Sequence, residues 1–248
     1  MKSYVKHFEK DCIGYLEFGH PSANSLPLEL LQKLDQKLNL LSKNRLVKVI
    51  IIQSNGDSTF CAGASFNEMK KMKNTEEATA FFMGFANLIN TIRSLNKFIL
   101  AKVQGKVVGG GVGLVASCDI AFALETASVK LSELSIGIGP YVIEPAISRK
   151  IGTNAFRELS LDSHKWKSAK WAKKKGLYRS VYKSNGTLDQ EVLKTATRLS
   201  SYPEKANTSL RKLHWRETDH WDILLPKNAE ISAKLALEKT TQELLKKL

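Results

Sequence analysis

The chain has 248 residues, 43% hydrophobic and 25% charged, and its 38 Lys and Arg against 24 Asp and Glu leave a formal charge of +14. That length is ample for a buried core, and that composition excludes extended disorder, a collagen-like repeat and a coiled-coil rod. The longest apolar stretches, such as Val107 to Ala116, are interrupted by glycine and fall short of the roughly 20 residues that a bilayer-spanning helix needs, so no membrane segment is expected.

Tyr4 to Phe8 and Ile13 to Phe18 mix aromatic and β-branched residues with polar ones, which predicts two short strands around a turn at Lys10 and Asp11. Leu28, Leu31, Leu34, Leu38 and Leu41 recur at helical spacing and predict an amphipathic helix. Val47 to Gln53 (VKVIIIQ) follows as a largely buried strand. Asn74, with Glu77 three positions on, forms a capping box for a helix running to about Leu95, and Phe98 to Val103 makes the next buried strand. Beyond a glycine cluster come short strands at Ile120 to Ala123 and Val129 to Leu131. After Pro140 the pattern turns helical, with helices expected at Val142 to Ile151, Asn154 to Leu161, Ser168 to Lys174, Leu188 to Leu199, Glu204 to Trp215 and Asn228 to Lys247. The fold class is α/β, with a core over residues 1–185 and a helical C-terminal region over 186–248.

The first ten residues lack the apolar block of a secretory signal, so a cytoplasmic protein is expected. Three widely spaced cysteines, Cys12, Cys61 and Cys118, suggest neither a disulfide framework nor a metal knuckle. His7, His20, His164, His214 and His220 lack metal-ligand spacing, and no metal is expected. The lysines are scattered, with runs only at Lys70 to Lys73 and Lys173 to Lys175, which fits a solvated surface better than a nucleic-acid footprint. The same charge suits a small polyanion carrying phosphates.

Two glycine-containing segments follow buried strands: FCAGAS, Phe60 to Ser65, and GKVVGGGVGL, Gly105 to Leu114. Consecutive glycines opening a helix let backbone N–H groups approach a ligand, and a helix N-terminus favours negative charge there. Taken alone, the cluster is equally compatible with close helix-to-strand packing. Gly111, Gly113 and Ala116 also satisfy the G-x-G-x-x-A dinucleotide pattern, with Glu133 twenty residues beyond Gly113. That pattern belongs directly at the end of an early strand, whereas here residues intervene after Val103.

Together these segments resemble the enoyl-CoA hydratase/isomerase (crotonase) superfamily. FCAGAS is similar to the family's F-C-A-G-A-D loop, VQGKVVGGGVGLVASCDIAFA to its G-x-x-x-G-G-G-x-E-L-A-x-x-C-D segment, and LSELSIGIGP to its x-P-E-x-x-x-G-x-x-P segment. KWAKKKGLYRSVY is similar to the family's element ending in G-L-V-x-x-V, and order and spacing agree over residues 13 to 182. The resemblance implies a spiral of repeated strand-strand-helix units followed by C-terminal helices that assemble a homotrimer or a hexamer of paired trimers. It implies an acyl-CoA thioester substrate, with coenzyme A arriving as part of the substrate and no separate cofactor. It also implies an oxyanion hole from the backbone amides of Ala64 and Gly110, a catalytic carboxyl on Glu133, and substrate contacts from Ala62, Gly63, Ser65, Gly109, Gly113 and Tyr141.

The departure from the family pattern is Gly113, which stands where hydratases carry the first of two glutamates. Three reactions remain open. Hydration is favoured, because GG-x-x-GL with LSE-x-x-IG-x-x-P is similar to bacterial 3-methylglutaconyl-CoA hydratases of leucine breakdown, which also carry glycine there. Double-bond isomerisation with Glu133 alone is the second, and decarboxylation, with Tyr141 in a position similar to a functional tyrosine, is the third. A non-catalytic acyl-CoA- or RNA-binding protein on the same fold is the contrasting reading. Tyr141 and Glu144 are expected mainly in packing or helix-surface roles, and Cys118 and Asp119 in structural ones. Ser65 is expected near the CoA and not as a nucleophile, and Lys70 and Lys71 could meet the phosphates.

Overall fold

The computed structural model describes residues 2–247. The chain opens with an antiparallel hairpin, β1 (Tyr4–Lys10) and β2 (Ile13–Gly19). It is closed by Asp11 and Cys12, both at positive φ (52° and 62°), a turn whose twist matches that of its strands. In helix α1 (Leu28–Lys43), Leu30, Leu31, Leu34, Leu38 and Leu41 are buried as one apolar stripe.

Three turns of a spiral follow. The first holds β3 (Val49–Ser54), β4 (Thr59–Cys61), the short helix α2 (Phe66–Met69) and the long α3 (Thr75–Ser94). Asn74 caps α3, its Oδ1 accepting from the Glu77 amide at 2.8 Å, while the Glu77 carboxylate accepts from the Lys73 amide at 2.9 Å. The second holds β5 (Phe98–Val103), β6 (Lys106–Val108) and α4 (Gly110–Ser117), and the third β7 (Ile120–Leu124), β8 (Ser128–Lys130) and a 3₁₀ turn over Leu134–Ile136. The remainder is α5 (Glu144–Ile151), α6 (Thr153–Leu161), β9 (Lys167–Ser168), α7 (Ala169–Lys174), β10 (Ser180–Tyr182), α8 (Asn185–Ser201), α9 (Glu204–His214), α10 (Trp221–Leu237) and α11 (Lys239–Lys246).

Each turn of the spiral lays one strand in each of two sheets. The first sheet runs β1-β2-β3-β5-β7-β10 and is parallel beyond the hairpin; the second runs β4-β6-β8-β9, parallel except for β9. Strands buried on both faces read as continuous apolar runs, and period-2 alternation divides them between two cores. In β3, Ile50 and Ile52 face the larger core, and Val49 and Ile51 pack with Leu188, Val192 and Ala196 of α8 on the other face. Phe98 and Leu100 of β5 and Phe122 and Leu124 of β7 join them there.

Helix α10 lies along α3, and its Trp221, Leu225, Ala229, Ala233 and Ala236 belong to the same core as the spiral. A second tie is polar. Arg211 of α9, 1% exposed, donates to both Asp119 Oδ2 (2.9 Å) and the carbonyls that end α3, Ile92 (2.6 Å), Arg93 (3.0 Å) and Leu95. Asp119 also accepts from the Ile99 amide at 2.7 Å and from Trp215 Nε1 at 3.1 Å, which gives Asp119 the structural role expected of it.

The helix expected over Asn228 to Lys247 is instead two. α10 begins earlier, at Trp221, with Pro226 inside it, and the chain breaks at Glu238, whose ψ of 139° is extended. A proline lacks the N–H that a continuing helix uses, so the apolar pattern reads as starting after it. The strands β4, β6, β9 and β10, two or three residues each, show no periodicity in the sequence; β8 is as short, and the strand expected over Val129 to Leu131 overlaps it.

Candidate active site

The turn after β4 and the start of α4 come side by side. Leu26 pairs with the first as a short parallel bridge: its amide donates to the Gly63 carbonyl at 2.8 Å and its carbonyl accepts from the Ser65 amide at 3.3 Å. That pairing leaves the intervening Ala64 amide outside the ladder. Gly63 has φ +85°, and a Cβ there would lie 2.8 Å from the Val108 carbonyl oxygen and 3.4 Å from the Gly110 nitrogen, so the two turns abut with no room for a side chain. Gly109, at φ 51° and ψ −121°, caps α4 and is fixed to β8 by its amide, which donates to the Lys130 carbonyl at 2.9 Å. Among the described residues neither the Ala64 nor the Gly110 amide has a hydrogen-bond acceptor.

Both residues line a single cleft, open at its mouth. Its walls are apolar: Phe66 and Met69 from α2, Phe82 and Phe85 from α3, and Ile138, Val142 and Ile143 from the segment leading into α5. Into it projects Glu133, the residue before the 3₁₀ turn, whose backbone carbonyl accepts from the amides of Ile136 (3.2 Å) and Ile138 (2.9 Å). The residue as a whole is half-buried, but its Oε2 is shut off from solvent and has no hydrogen-bond partner among the described residues. Its carboxyl faces Gly109, where an added Cβ would stand 2.7 Å from Glu133 Oε1. Burial without a compensating charge disfavours the carboxylate and pushes its pKa up to about 7. An acid with that pKa can give or take a proton near neutral pH.

Of the residues singled out from the sequence, Ala62, Gly63, Ala64, Gly109, Gly110, Glu133 and Tyr141 all line this cleft. Tyr141 sits at its rim, 39% exposed, with its ring against Gly139 and its carbonyl accepting from Asn228 Nδ2 at 2.8 Å. Ser65 and Gly113 do not line it. Ser65 is buried as the N-cap of α2, its Oγ accepting from the Glu68 amide at 3.4 Å. Gly113 faces Ile143: a Cβ at 113 would stand 2.4 Å from Ile143 Cγ2. Glu144 turns instead to Ser148, whose hydroxyl donates to it at 2.5 Å. Cys61 is buried, with its thiol pushed up to about 12 by desolvation, which makes it a packing residue and not a nucleophile. Lys70 and Lys71 follow directly on α2, whose Phe66 and Met69 face the cleft, and do not themselves line it.

Ser232 of α10 was not found from the sequence, although it lines the cleft. Among the described residues no three His, Cys, Asp or Glu side chains are grouped to hold a metal, and no helix is long and apolar enough to cross a membrane.

A family model described as enoyl-CoA hydratase/isomerase matches residues 9–246. The mitochondrial methylglutaconyl-CoA hydratase of Homo sapiens is 32% identical over 185 residues, which cover 73% of this chain and 54% of that protein. The match thus spans about half the length of that relative. A probable enoyl-CoA hydratase of Bacillus subtilis is 31% identical over 81% of this chain and 76% of its own. The solved enoyl-CoA hydratase of Bacillus halodurans superposes with a TM-score of 0.93 over 99% of this chain and all 100% of its own, at 20% identity, a likeness of fold.

Proposed function

Since the chain belongs to the enoyl-CoA hydratase/isomerase family, we propose that it hydrates the double bond of a 2-enoyl-CoA thioester, with Ala64, Gly110 and Glu133 as its catalytic groups. The observation that carries this reading is the meeting, in one cleft, of two backbone amides and a carboxyl oxygen, Glu133 Oε2, none of which has a hydrogen-bond partner among the described residues.

In this reading the thioester carbonyl oxygen receives the Ala64 and Gly110 N–H groups. As negative charge moves onto that oxygen, preplaced donors in a dry cleft stabilise it more than they stabilise the neutral substrate, and one such donor is typically worth about 3 kcal/mol. Ionised Glu133 takes a proton from water as the oxygen of that water bonds to Cβ. The enolate then collapses as Glu133 returns a proton to Cα, and the product is a 3-hydroxyacyl thioester with the carboxylate regenerated. The human relative's name supports a methylglutaconyl-CoA thioester as the substrate, and the resemblance of the glycine motifs to bacterial 3-methylglutaconyl-CoA hydratases implies a place in leucine breakdown. The trimer or hexamer implied by the resemblance belongs to the same proposal, and the mass of the protein in solution tests it.

A second reading, isomerisation of a 3-enoyl thioester, is favoured by one observation: Ile143 fills the space in front of Gly113, so the cleft offers a single carboxyl. Loss of the conjugated enoyl absorbance on mixing with crotonyl-CoA or 3-methylglutaconyl-CoA is the result expected for hydration. Appearance of that absorbance from a 3-enoyl-CoA, with no hydration, would replace it by isomerisation.

A further inference from the structure

Helix α10 presents its core with Trp221, Leu225, Ala229, Ala233 and Ala236, and among these apolar residues lies Ser232. Ser232 is 1% exposed and lines the cleft. A buried serine in a helix ordinarily returns its hydroxyl to the carbonyl four residues back, as Ser117 does to Gly113 at 2.8 Å. Ser232 makes no such bond, and among the described residues its hydroxyl has no hydrogen-bond partner. Its Oγ is not among the side-chain oxygens shut off from solvent, so the hydroxyl opens onto the cleft and is left to bond something that enters it.

Its placement says what that something is. Ser232 reaches the cleft from the C-terminal helix, whereas the amides and the carboxyl come from the spiral. Asn228, one helical turn earlier on the same face, donates to the Tyr141 carbonyl at 2.8 Å, which fixes this part of α10 beside the segment that follows Pro140. Besides Ser232 the polar side chains of the lining are Ser132, Glu133 and Tyr141, all from the segment between β8 and α5, and an alkyl group lying against α10 would leave the Ser232 hydroxyl unanswered.

We propose that Ser232 is a substrate-specificity residue that donates its hydroxyl to a hydrogen-bonding oxygen carried by the acyl chain beyond its reacting carbons. This rests on the reading of the cleft as an acyl-thioester site, and it adds a substrate class: acyl groups with a distal oxygen, preferred over plain alkyl chains of equal length. Among the described residues no lysine or arginine lines the cleft, so the recognition is by hydrogen bond and not by an ion pair.

Three five-carbon CoA thioesters test it by calorimetric binding: valeryl-CoA, without a distal oxygen, 5-hydroxyvaleryl-CoA, with a hydroxyl, and glutaryl-CoA, with a carboxylate. None can be hydrated, so the outcome does not depend on turnover. The wild-type protein is expected to bind at least one oxygenated thioester about tenfold more tightly than valeryl-CoA, and Ser232→Ala to lose that ratio. Which of the two is preferred distinguishes a hydroxyl-bearing from a carboxylate-bearing substrate. Equal or tighter binding of valeryl-CoA by the wild type, or a ratio that survives in a Ser232→Ala protein of unchanged melting temperature, overturns the proposal. Failure of the hydration reading shows separately, as absence of turnover with 2-enoyl thioesters while the binding ratio stands.

Discussion

Ile143 and Gly113 occupy one another's space: a Cβ on Gly113 would stand 2.4 Å from Ile143 Cγ2 and 2.6 Å from its Cβ. The glycine is therefore the partner of a β-branched side chain, and the absence of a glutamate there is built into the packing of α4 against the entry to α5. Gly113→Glu is expected to destabilise the protein by about 1–3 kcal/mol through overpacking, and Gly113→Glu with Ile143→Ala to recover much of that loss. Urea denaturation checks both; a single variant as stable as the wild type would remove the steric account.

Glu133→Gln keeps the shape of the side chain and removes its proton chemistry. In the proposed reaction, turnover of a 2-enoyl thioester is expected to fall by about 10²- to 10⁴-fold. Since the carboxyl is buried without a counter-charge, stability near pH 8 should not drop. Wild-type turnover in this variant, measured by the decay of enoyl absorbance, would remove Glu133 from the mechanism.

Stability and activity should respond oppositely to pH. The pKa of Glu133 is raised by burial from its ordinary 4.5 to about 7. Between those values the folded protein holds a proton that the unfolded chain releases. The associated stability is fully present below pH 4.5 and is lost as pH rises through about 7, an amount on the order of 3 kcal/mol. Hydration, which uses the ionised carboxylate to deprotonate water, should instead rise about tenfold per pH unit up to that pH and then level off. Melting curves and initial rates across pH 5–9 measure the two trends, and both should vanish in Glu133→Gln.

Gly109 combines a left-handed φ of 51° with a Cβ position 2.7 Å from the Glu133 carboxyl. Gly109→Ala is expected to cost about 1–3 kcal/mol from the backbone alone and to displace the carboxyl from the cleft. A larger fall in turnover than in melting temperature is the expected signature, and a silent variant would argue against this geometry.

Arg211→Ala leaves Asp119 and the carbonyls that end α3 without their shared donor. Removing one member of a buried pair costs about 3–5 kcal/mol, so chemical denaturation should shift strongly. Asp119→Asn should be milder, because an amide oxygen at the Oδ2 place still accepts from the Ile99 amide and Arg211 Nε, and only Trp215 Nε1, left facing the NH2 group, loses its acceptor.

The parts of the site that the sequence disclosed are those that depend on backbone and charge. Ala64, Gly110 and Glu133 were reached through the resemblance of their segments to the family's motifs, and the three meet in one cleft. Gly113 shows the limit of that kind of reading. A glycine does not say which neighbour takes its space, and Ile143, thirty residues along the chain, gives no local sign that it does. Ser232 and Phe82 were missed for another reason: helical periodicity marks a residue as buried but does not distinguish a cavity wall from solid core. The major strands were legible as apolar runs, whereas β4 and β6, which position both turns of the site, were too short to register.

The cleft is walled by Ala62 near the first quarter of the chain and by Ser232 close to its end. Any molecule held between them binds only while α10 is docked, so occupancy and docking are thermodynamically linked. At a ligand concentration a hundred times its dissociation constant, the docked arrangement gains about 2.7 kcal/mol over any state in which α10 has come away. Amide protons of α10 are therefore expected to exchange more slowly as the cleft fills, which makes the C-terminal helix a reporter of occupancy as well as part of the container.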